Sequence, residues 1–208
     1  MADQGKVFWE RTASRYDRSM MLLGGPLDAM LPLVTSEVRG LDRVLELAAG
    51  TGLVSASIAP VVGELVATDY AEAMVRKLEE RVRQLALVNV RTCTLDLYAL
   101  DGAERYDAVV ATNVLHLLPD LDAALAAMVR ALVPGGRLVV PTYCHDETAV
   151  SRLTSRALGL VGFPGQRRLT LERLVGLLDG RGMEVRRAAL LPGLLPIGFV
   201  SATGSLDS

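Results

Sequence analysis

The sequence predicts an α/β protein with a doubly wound, Rossmann-like sheet of seven strands, mostly parallel with a late antiparallel strand, and with helices on both faces. Short apolar runs alternate regularly with segments of helical periodicity. The first run, VLELAAGTG at residues 44–52, passes from a buried strand into a glycine turn. Acidic residues stand at the ends of three successive runs, namely Glu46, Asp69 and Asp96. Ligands of such sheets bind beyond the carboxyl ends of the strands.

The first half of the chain predicts three strands and two helices. The strands are the near-continuous apolar run from residue 43, the run ELVATDY that ends at Asp69, and VRTCTLDL, which ends at Asp96. Helices are predicted over residues 53–59 and 71–85, where apolar residues recur at helical spacing. Together these elements predict βαβ units, which require a parallel sheet.

The second half predicts a fourth strand from residue 106 to about 112, a helix over residues 121–132, a turn at 133–136 and a fifth strand, RLVVPTY. A helix near residues 170–179 and strands around 183–190 and 197–203 follow, and the last two are close enough in sequence to pair antiparallel. We expect one domain of four segments: an N-terminal lid (1–40), a cofactor-binding core (41–140), a substrate cap (141–170) and a C-terminal helix and strand pair (171–208).

The turn after the first strand has an unusual composition for a nucleotide-binding loop. Gly50 and Gly52 permit positive φ and close backbone approach, but Ala48 stands where a dinucleotide fingerprint has its first glycine. The ionisable Glu46 lies inside the strand end. A carboxylate there suits a cationic or amine-bearing ligand better than a pyrophosphate.

Composition restricts the partners of this chain. Its 208 residues are 50% hydrophobic and 22% charged, with a formal net charge of −2, so no basic field for nucleic acid is present. The two cysteines, Cys93 and Cys144, have no metal-ligand spacing, and we expect no metal site and a reducing cytoplasm. The N-terminus has no signal peptide pattern, and the apolar segment from Ala188 is interrupted by proline and glycine, so we expect no membrane span.

These motifs, in this order, resemble the class I S-adenosylmethionine-dependent methyltransferases over residues 8–203. The resemblance implies S-adenosyl-L-methionine as cofactor and S-adenosyl-L-homocysteine as product. It implies that the loop after the first strand wraps the methionine part of the cofactor and that Asp69 binds the ribose hydroxyls. It also implies that Asp96 accepts from the adenine amino group. The implied cofactor residues are Tyr16, Glu46, Leu47, Ala48, Gly50, Thr51, Gly52, Asp69, Tyr70, Met74, Asp96, Leu97, Asn113 and Val114. A strand-end acid can also simply cap the following helix.

The N-terminal segment FWERTASRYDRSM is similar to that of the small methyltransferases related to ubiquinone/menaquinone C-methyltransferases and phospholipid N-methyltransferases. In those relatives the tyrosine of the YD pair, here Tyr16, reaches the cofactor. Trp9, Ala13, Tyr16 and Met20 would share one helical face. This helix is therefore predicted to close over the site as a lid, or merely to pack on the sheet.

Candidates for chemistry lie after the fourth and fifth strands. A methyl acceptor with an acidic proton needs a base, and histidine suits that role near neutrality. The chain has two histidines, His116 and His145. We name His145, His116 and Tyr143 as candidate catalytic residues, with packing as the competing interpretation.

Residues 146–169 are predicted to form an amphipathic substrate cap. Its apolar residues are Val150, Leu153, Leu158, Leu160, Val161 and Phe163, and its arginines either meet an anionic group or form a solvated rim.

The expected reaction is methyl transfer to a small, fairly apolar molecule at O, N, S or C, by a monomer or homodimer. The alternatives are cofactor binding without transfer, or methylation of a macromolecule.

Overall fold

The computed structural model describes residues 7, 9–10, 26–100, 105–160 and 167–204. Within these ranges the strands are β1 Arg43–Leu47, β2 Glu64–Asp69, β3 Val90–Thr94, β4 Tyr106–Ala111, β5 Leu132–Val139, β6 Thr142–Tyr143, β7 Glu184–Leu191 and β8 Ile197–Thr203. The helices are α1 Leu27–Val38, α2 Leu53–Ile58, α3 Glu72–Gln84, α4 Leu121–Arg130, α5 Ala149–Leu160 and α6 Leu171–Asp179. Short 3-10 turns lie at Ala59–Val61, Leu97–Ala99 and Leu115–Leu117.

All of these strands join one sheet, whose first five neighbours in order are β3, β2, β1, β4 and β5, paired parallel. Strand β8 runs antiparallel and pairs with β5, β6 and β7. The strand order reverses between β1 and β4, and this switch point is where an open α/β sheet binds its ligands. The predicted Rossmann-like class and the late antiparallel pairing are confirmed.

The strand count differs from the prediction: the sheet of the described residues has eight strands where seven were expected. The extra strand is β6, which pairs with β8 in line with β5. Val139 pairs with Ser201 and Thr142 pairs with Gly198, so the register is unbroken across the gap. Pro141 lies in that gap and has no N–H to donate, which splits one predicted strand into two.

The predicted turn at residues 133–136 lies inside β5. Tyr106 pairs with Leu132 and Ala108 with Arg137, so the register shifts between these pairs. The extra residues form a bulge in which Gly135 has a φ of +72°. The helix before it, α4, ends at Arg130, two residues before the predicted end.

The sheet is covered on both faces because its strands alternate two sets of apolar side chains. Val44 faces a core with α1, α2 and α3, whereas Leu45 and Leu47 face a core with α4 and α6. This alternation places Glu46 on the same face as Val44, towards α2. No helix among the described residues is both long enough and apolar enough to cross a membrane.

Gly52 at the start of α2 allows α3 to approach closely. Its φ is +82°, and an added Cβ would lie 2.5 Å from Cδ1 of Leu78. Gly176 in α6 has open space around it and no positive φ. We expect Gly52→Ala to lower the free energy of unfolding by about 1–3 kcal/mol, and Gly176→Ala to raise it by about 0.5–1 kcal/mol. Urea unfolding of both variants measures this, and equal effects of the two changes would contradict the close approach.

Candidate functional site

Glu46 is a fully buried carboxyl group at the end of β1. Its Oε2 accepts a hydrogen bond from Oγ of Ser55 on α2 at 2.5 Å, whereas Oε1 has no hydrogen-bond partner among the described residues. The pKa of Glu46 is raised to about 8, chiefly by burial; the hydrogen bond from Ser55 opposes the shift, and the nearby Asp69 carboxylate adds to it. A group with these properties is neutral by itself at neutral pH and becomes ionised when a cation binds beside it.

The loop after β1 turns through three left-handed residues. Ala48, Gly50 and Gly52 have φ values of +53°, +58° and +82°. An alanine in this region is strained by contacts of its Cβ, and such strain persists where the surroundings fix it. The amide of Ala49 between them donates to the carbonyl of Thr68 on β2 at 2.8 Å. The predicted loop residues Leu47 and Thr51 are buried.

Asp69 connects the loops that follow β1 and β2. Its Oδ2 accepts from the amide of Gly50 and its Oδ1 from the amide of Ala71, both at 2.9 Å. The residue is 5% exposed, and burial raises the pKa of its carboxyl group while these backbone amides lower it. Each oxygen retains a further lone pair, so the carboxylate can still accept from a ligand.

The N-terminal residues that the structure describes lie against the start of α3. Trp9 packs against a small cluster with Ala71 and the 2%-exposed Met74, and Tyr70 also packs there. Glu10 accepts from the amide of Ala73 at 3.1 Å and lies 4.0 Å from Arg76. The predicted Tyr70 and Met74 are thus together, with Met74 buried under Trp9. The predicted Tyr16 and the rest of the lid face, Ala13 and Met20, lie outside the described residues.

Asp96 lies at the exposed end of β3. Its Oδ1 accepts from the amide of Tyr98 at 3.0 Å and so caps the 3-10 turn that begins at the buried Leu97. This is the capping arrangement that a strand-end acid can adopt, and it leaves Oδ2 available.

Asn113 follows β4, the strand beside β1. Its φ is +52°, its amide donates to the carbonyl of Pro141 at 2.7 Å, and its Oδ1 is shielded from solvent without a hydrogen-bond partner in the described part of the chain. The next residue, Val114, is buried. Because Leu47 pairs with Ala111, the residues that follow β1 and β4 lie side by side.

The three candidate catalytic residues lie together beyond β4 and β6. The ring of His116 lies 5.0 Å from that of His145 and 5.6 Å from that of Tyr143, measured between centroids. His116 Nδ1 contacts Oγ1 of Thr142 at 3.0 Å, and His145 Nδ1 contacts Oγ of Ser155 at 3.1 Å. All three rings are buried.

Burial, reinforced by His145, lowers the pKa of His116 to about 3. Burial, reinforced by Arg168, also lowers the pKa of His145. Both imidazoles are neutral at pH 7.

The sequence missed the hydroxyl groups that hold these side chains. Ser55, Thr142 and Ser155 were not among the predicted site residues. Ser55 lies nine residues after Glu46, so its helix position was a usable signal. The contacts of Thr142 and Ser155 with the histidines depend on how β6 and α5 pack.

The apolar face predicted for the cap is partly wrong. Val150 and Leu153 on α5 are 55% and 69% exposed, while Ser151 is buried and Leu158 is half-buried. Of the polar residues at the start of the helix, Ser151 faces inward, and it exchanges backbone and side-chain hydrogen bonds with the exposed Thr148. Arg167 donates to the carbonyls of Leu118 and Pro119 instead of forming part of a solvated rim. The side chains of Leu160, Val161 and Phe163 lie outside the described ones.

The sheet order and the glycine loop at its switch point define a Rossmann-like α/β protein. Residues 45–138 match the family described as "Methyltransferase domain". The ubiquinone/menaquinone biosynthesis C-methyltransferase of Teredinibacter turnerae is 31% identical to the chain over 159 residues. That match covers 73% of this chain and 63% of the relative, so the chain spans less than two thirds of the relative's length.

Solved structures show the same fold. The YcgJ protein of Bacillus subtilis has a TM-score of 0.73 at 15% identity and matches over 86% of this chain and 99% of its own. The N-methyltransferase NodS of Bradyrhizobium japonicum, solved with S-adenosyl-L-homocysteine, has a TM-score of 0.68 at 19% identity over 85% and 84%. Residues 45–138 of the chain carry a methyltransferase domain. The resemblance stated from the sequence is confirmed.

Glu46 makes the stability of the protein depend on pH. Because its pKa is raised from 4.5 to about 8 on folding, the folded state keeps a proton that the unfolded state loses. Its stabilising contribution is complete below pH 4.5 and is lost as pH rises towards 8. The ligand-free Glu46→Gln variant should therefore gain free energy of unfolding relative to the wild type as pH rises from 5 to 9, by at most about 5 kcal/mol.

Urea unfolding at several pH values measures the difference between the two proteins. Gln84→Glu, at the end of α3, is a control that adds a carboxyl group away from the site. A constant difference between the wild type and Glu46→Gln across this range would contradict the raised pKa.

Proposed function

We propose that the protein transfers a methyl group from S-adenosyl-L-methionine to a small, fairly apolar molecule. The observation that carries this proposal is a pair of solvent-shielded oxygen acceptors at the switch point, Oε1 of Glu46 and Oδ1 of Asn113, which have no hydrogen-bond partner among the described residues. Burying unpaired acceptors costs free energy, and a ligand with cationic groups recovers it. S-adenosylmethionine carries both an ammonium and a sulfonium group.

The residues present fit this cofactor along its whole length. In this proposal Glu46 would receive the ammonium group, and the left-handed loop would bring its backbone close to the methionine part. Asp69 keeps lone pairs for the ribose hydroxyls after accepting two backbone amides. Asp96 and Leu97, which follow β3, would receive the adenine ring. The bound cofactor supplies an electrophilic methyl group, so the protein needs to orient the acceptor and exclude water.

The acceptor site that we propose is the buried cluster of His116, Tyr143 and His145. The hydrogen bond from the Asn113 amide to Pro141 joins the loop beneath the cofactor's methionine part to the segment that carries Tyr143. A dry cluster of neutral rings favours an apolar molecule of limited size. The net charge of −2 does not favour a nucleic acid. The name of the Teredinibacter relative supports a quinone-type carbon among the acceptors that we consider, which also include a hydroxyl, an amine and a thiol.

Calorimetric titration with S-adenosylmethionine, S-adenosylhomocysteine and NAD tests the cofactor. We expect micromolar binding of the first two and none of NAD. Formation of S-adenosylhomocysteine with a panel of apolar phenols, amines and thiols then tests transfer. The proposal would be overturned if neither S-adenosylmethionine nor S-adenosylhomocysteine bound. If they bound but no acceptor class gave product, the result would favour a protein that binds the cofactor and transfers no methyl group.

The ribose contact of Asp69 can be separated from its structural role by changing the ligand as well as the residue. Asp69→Asn should weaken S-adenosylhomocysteine binding by about 2 kcal/mol, because it removes a charge-assisted hydrogen bond. The 2′,3′-dideoxy form of the ligand should bind both proteins with nearly equal affinity.

Asp122→Asn is the control for this measurement, since that carboxylate lies on the surface of α4 and pairs with Arg181. A loss of equal size for both ligands would mean that Asp69 acts only by holding the two loops together.

A further inference from the structure

We infer that Nε2 of His145 accepts the proton of an acidic hydroxyl group on the methyl acceptor, a phenol or an enol, and that Ser155 on α5 is the positioning residue for this histidine. The inference rests on the proposed function and deepens it, because it names the group of the acceptor that gives up its proton, an acidic hydroxyl.

The two nitrogens of His145 have different surroundings. Nδ1 lies 3.1 Å from Oγ of Ser155, whereas Nε2 is buried and has no hydrogen-bond partner among the described residues. The residue is only 2% exposed, so water does not readily satisfy Nε2. When Nδ1–H donates to Ser155, the lone pair lies on Nε2, which is the tautomer that a base requires.

His116 has a different place in the cluster. Its Nδ1 contacts Thr142, and its backbone carbonyl accepts from the amide of Arg167 at 3.0 Å. These contacts fix the ring of His116, whose centroid lies 5.0 Å from that of His145. Burial lowers the pKa of His116 to about 3, which makes His116 a weak base, so we assign the proton transfer to His145.

A hydroxyl donor fits Nε2 better than the other acceptor atoms. An amine at neutral pH is usually a cation, and Arg168 already disfavours a second positive charge near His145. A thiol is a weak hydrogen-bond donor, and a carbon acid is weaker still. The groups that face His145 from the surrounding described elements are Arg168, His116 and Tyr143. No carboxylate of the described residues hydrogen-bonds to His145.

The proposed step balances with the cofactor alone. The acceptor O–H bond breaks and its proton moves to Nε2 of His145, which becomes an imidazolium. The oxygen electron pair forms the new O–CH3 bond while the S–CH3 bond breaks. The electron pair of that bond goes to sulfur, which leaves as the neutral thioether S-adenosylhomocysteine. Solvent takes the proton from His145 after the product leaves.

Because the chain contains two histidines, 15N-histidine labelling of the untagged protein gives two pairs of imidazole nitrogen signals, and His116→Gln assigns them. With S-adenosylhomocysteine bound, we expect His145 to be the Nδ1–H tautomer and 2-naphthol to shift its Nε2 resonance. We expect 2-naphthylmethylamine, an alkylamine that is a cation at neutral pH, to leave that resonance in place. Ser155→Ala should reduce the Nδ1–H population at least twofold, and Ser155→Thr should restore it. Thr154→Val, which removes a neighbouring hydroxyl on the same helix, should have no effect.

An Nε2–H tautomer in the wild type would overturn the inference, as would the same tautomer ratio in Ser155→Ala. A shift with the amine, or no shift with the phenol, would overturn the assignment of an acidic hydroxyl group as the proton donor to His145. Failure of S-adenosylhomocysteine to bind would be a failure of the proposed function, and it is seen separately in the calorimetric titration.

The effect of Arg168 on the pKa of His145 tests the same site independently. Its positive charge lowers the pKa of His145, and removing it should raise that pKa. The imidazole titration of Arg168→Gln should therefore have its midpoint at a higher pH than that of the wild type. The exposed Arg152→Gln on α5 is the matched control and should leave the midpoint unchanged. An unchanged midpoint in Arg168→Gln would contradict the placement of Arg168 beside the proposed base.

Discussion

The candidate site depends on the two hydrogen bonds that the carboxylate of Asp69 accepts. One oxygen accepts the amide of Gly50 and the other accepts the amide of Ala71, so a single buried side chain fixes the loops after β1 and β2. The amide of Ala49 is held by the carbonyl of Thr68 in the same region. These bonds hold the left-handed turn against the strain of Ala48, whose positive φ would otherwise be unfavourable. The surface that we propose for the cofactor is therefore already formed in the ligand-free protein, which would lower the entropic cost of binding.

Glu46 and Asp69 are buried acids at neighbouring strand ends, and ionising both of them costs free energy. Asp69 receives backbone amides, which favour its ionised form, whereas Glu46 receives only the hydroxyl of Ser55. Protonation of Glu46 relieves the cost while no ligand is bound. A cationic ligand reverses the balance because it favours the ionised form of both groups. Binding of such a ligand should thus release a proton, and affinity is linked to pH through the same residue that weakens the ligand-free fold at high pH.

The proposed acceptor side is built on a different principle from the cofactor side. It holds neutral rings, positioned by the hydroxyls of Thr142 and Ser155 on two separate elements. Ser155 lies on α5, and Glu147 just before α5 accepts the amide of Leu171 at the start of α6. The orientation of His145 therefore depends on the docking of α5 against the sheet. A site divided in this way allows the acceptor chemistry to vary while the cofactor loop stays the same.

The sequence by itself determined the order of strands and helices, the glycine turn and the acids at the strand ends, because these follow from periodicity and from local backbone preferences. Leu45, Leu47 and Val44 alternate between two cores as the strand pattern predicts, and the candidate histidines are where the strand ends place them. Only the tertiary structure decided that Pro141 splits a strand, that Val150 and Leu153 face outward, and that Ser155 contacts His145. These features depend on contacts between residues far apart in the chain or on the rotation of a helix about its axis. Local propensity contains no information about either.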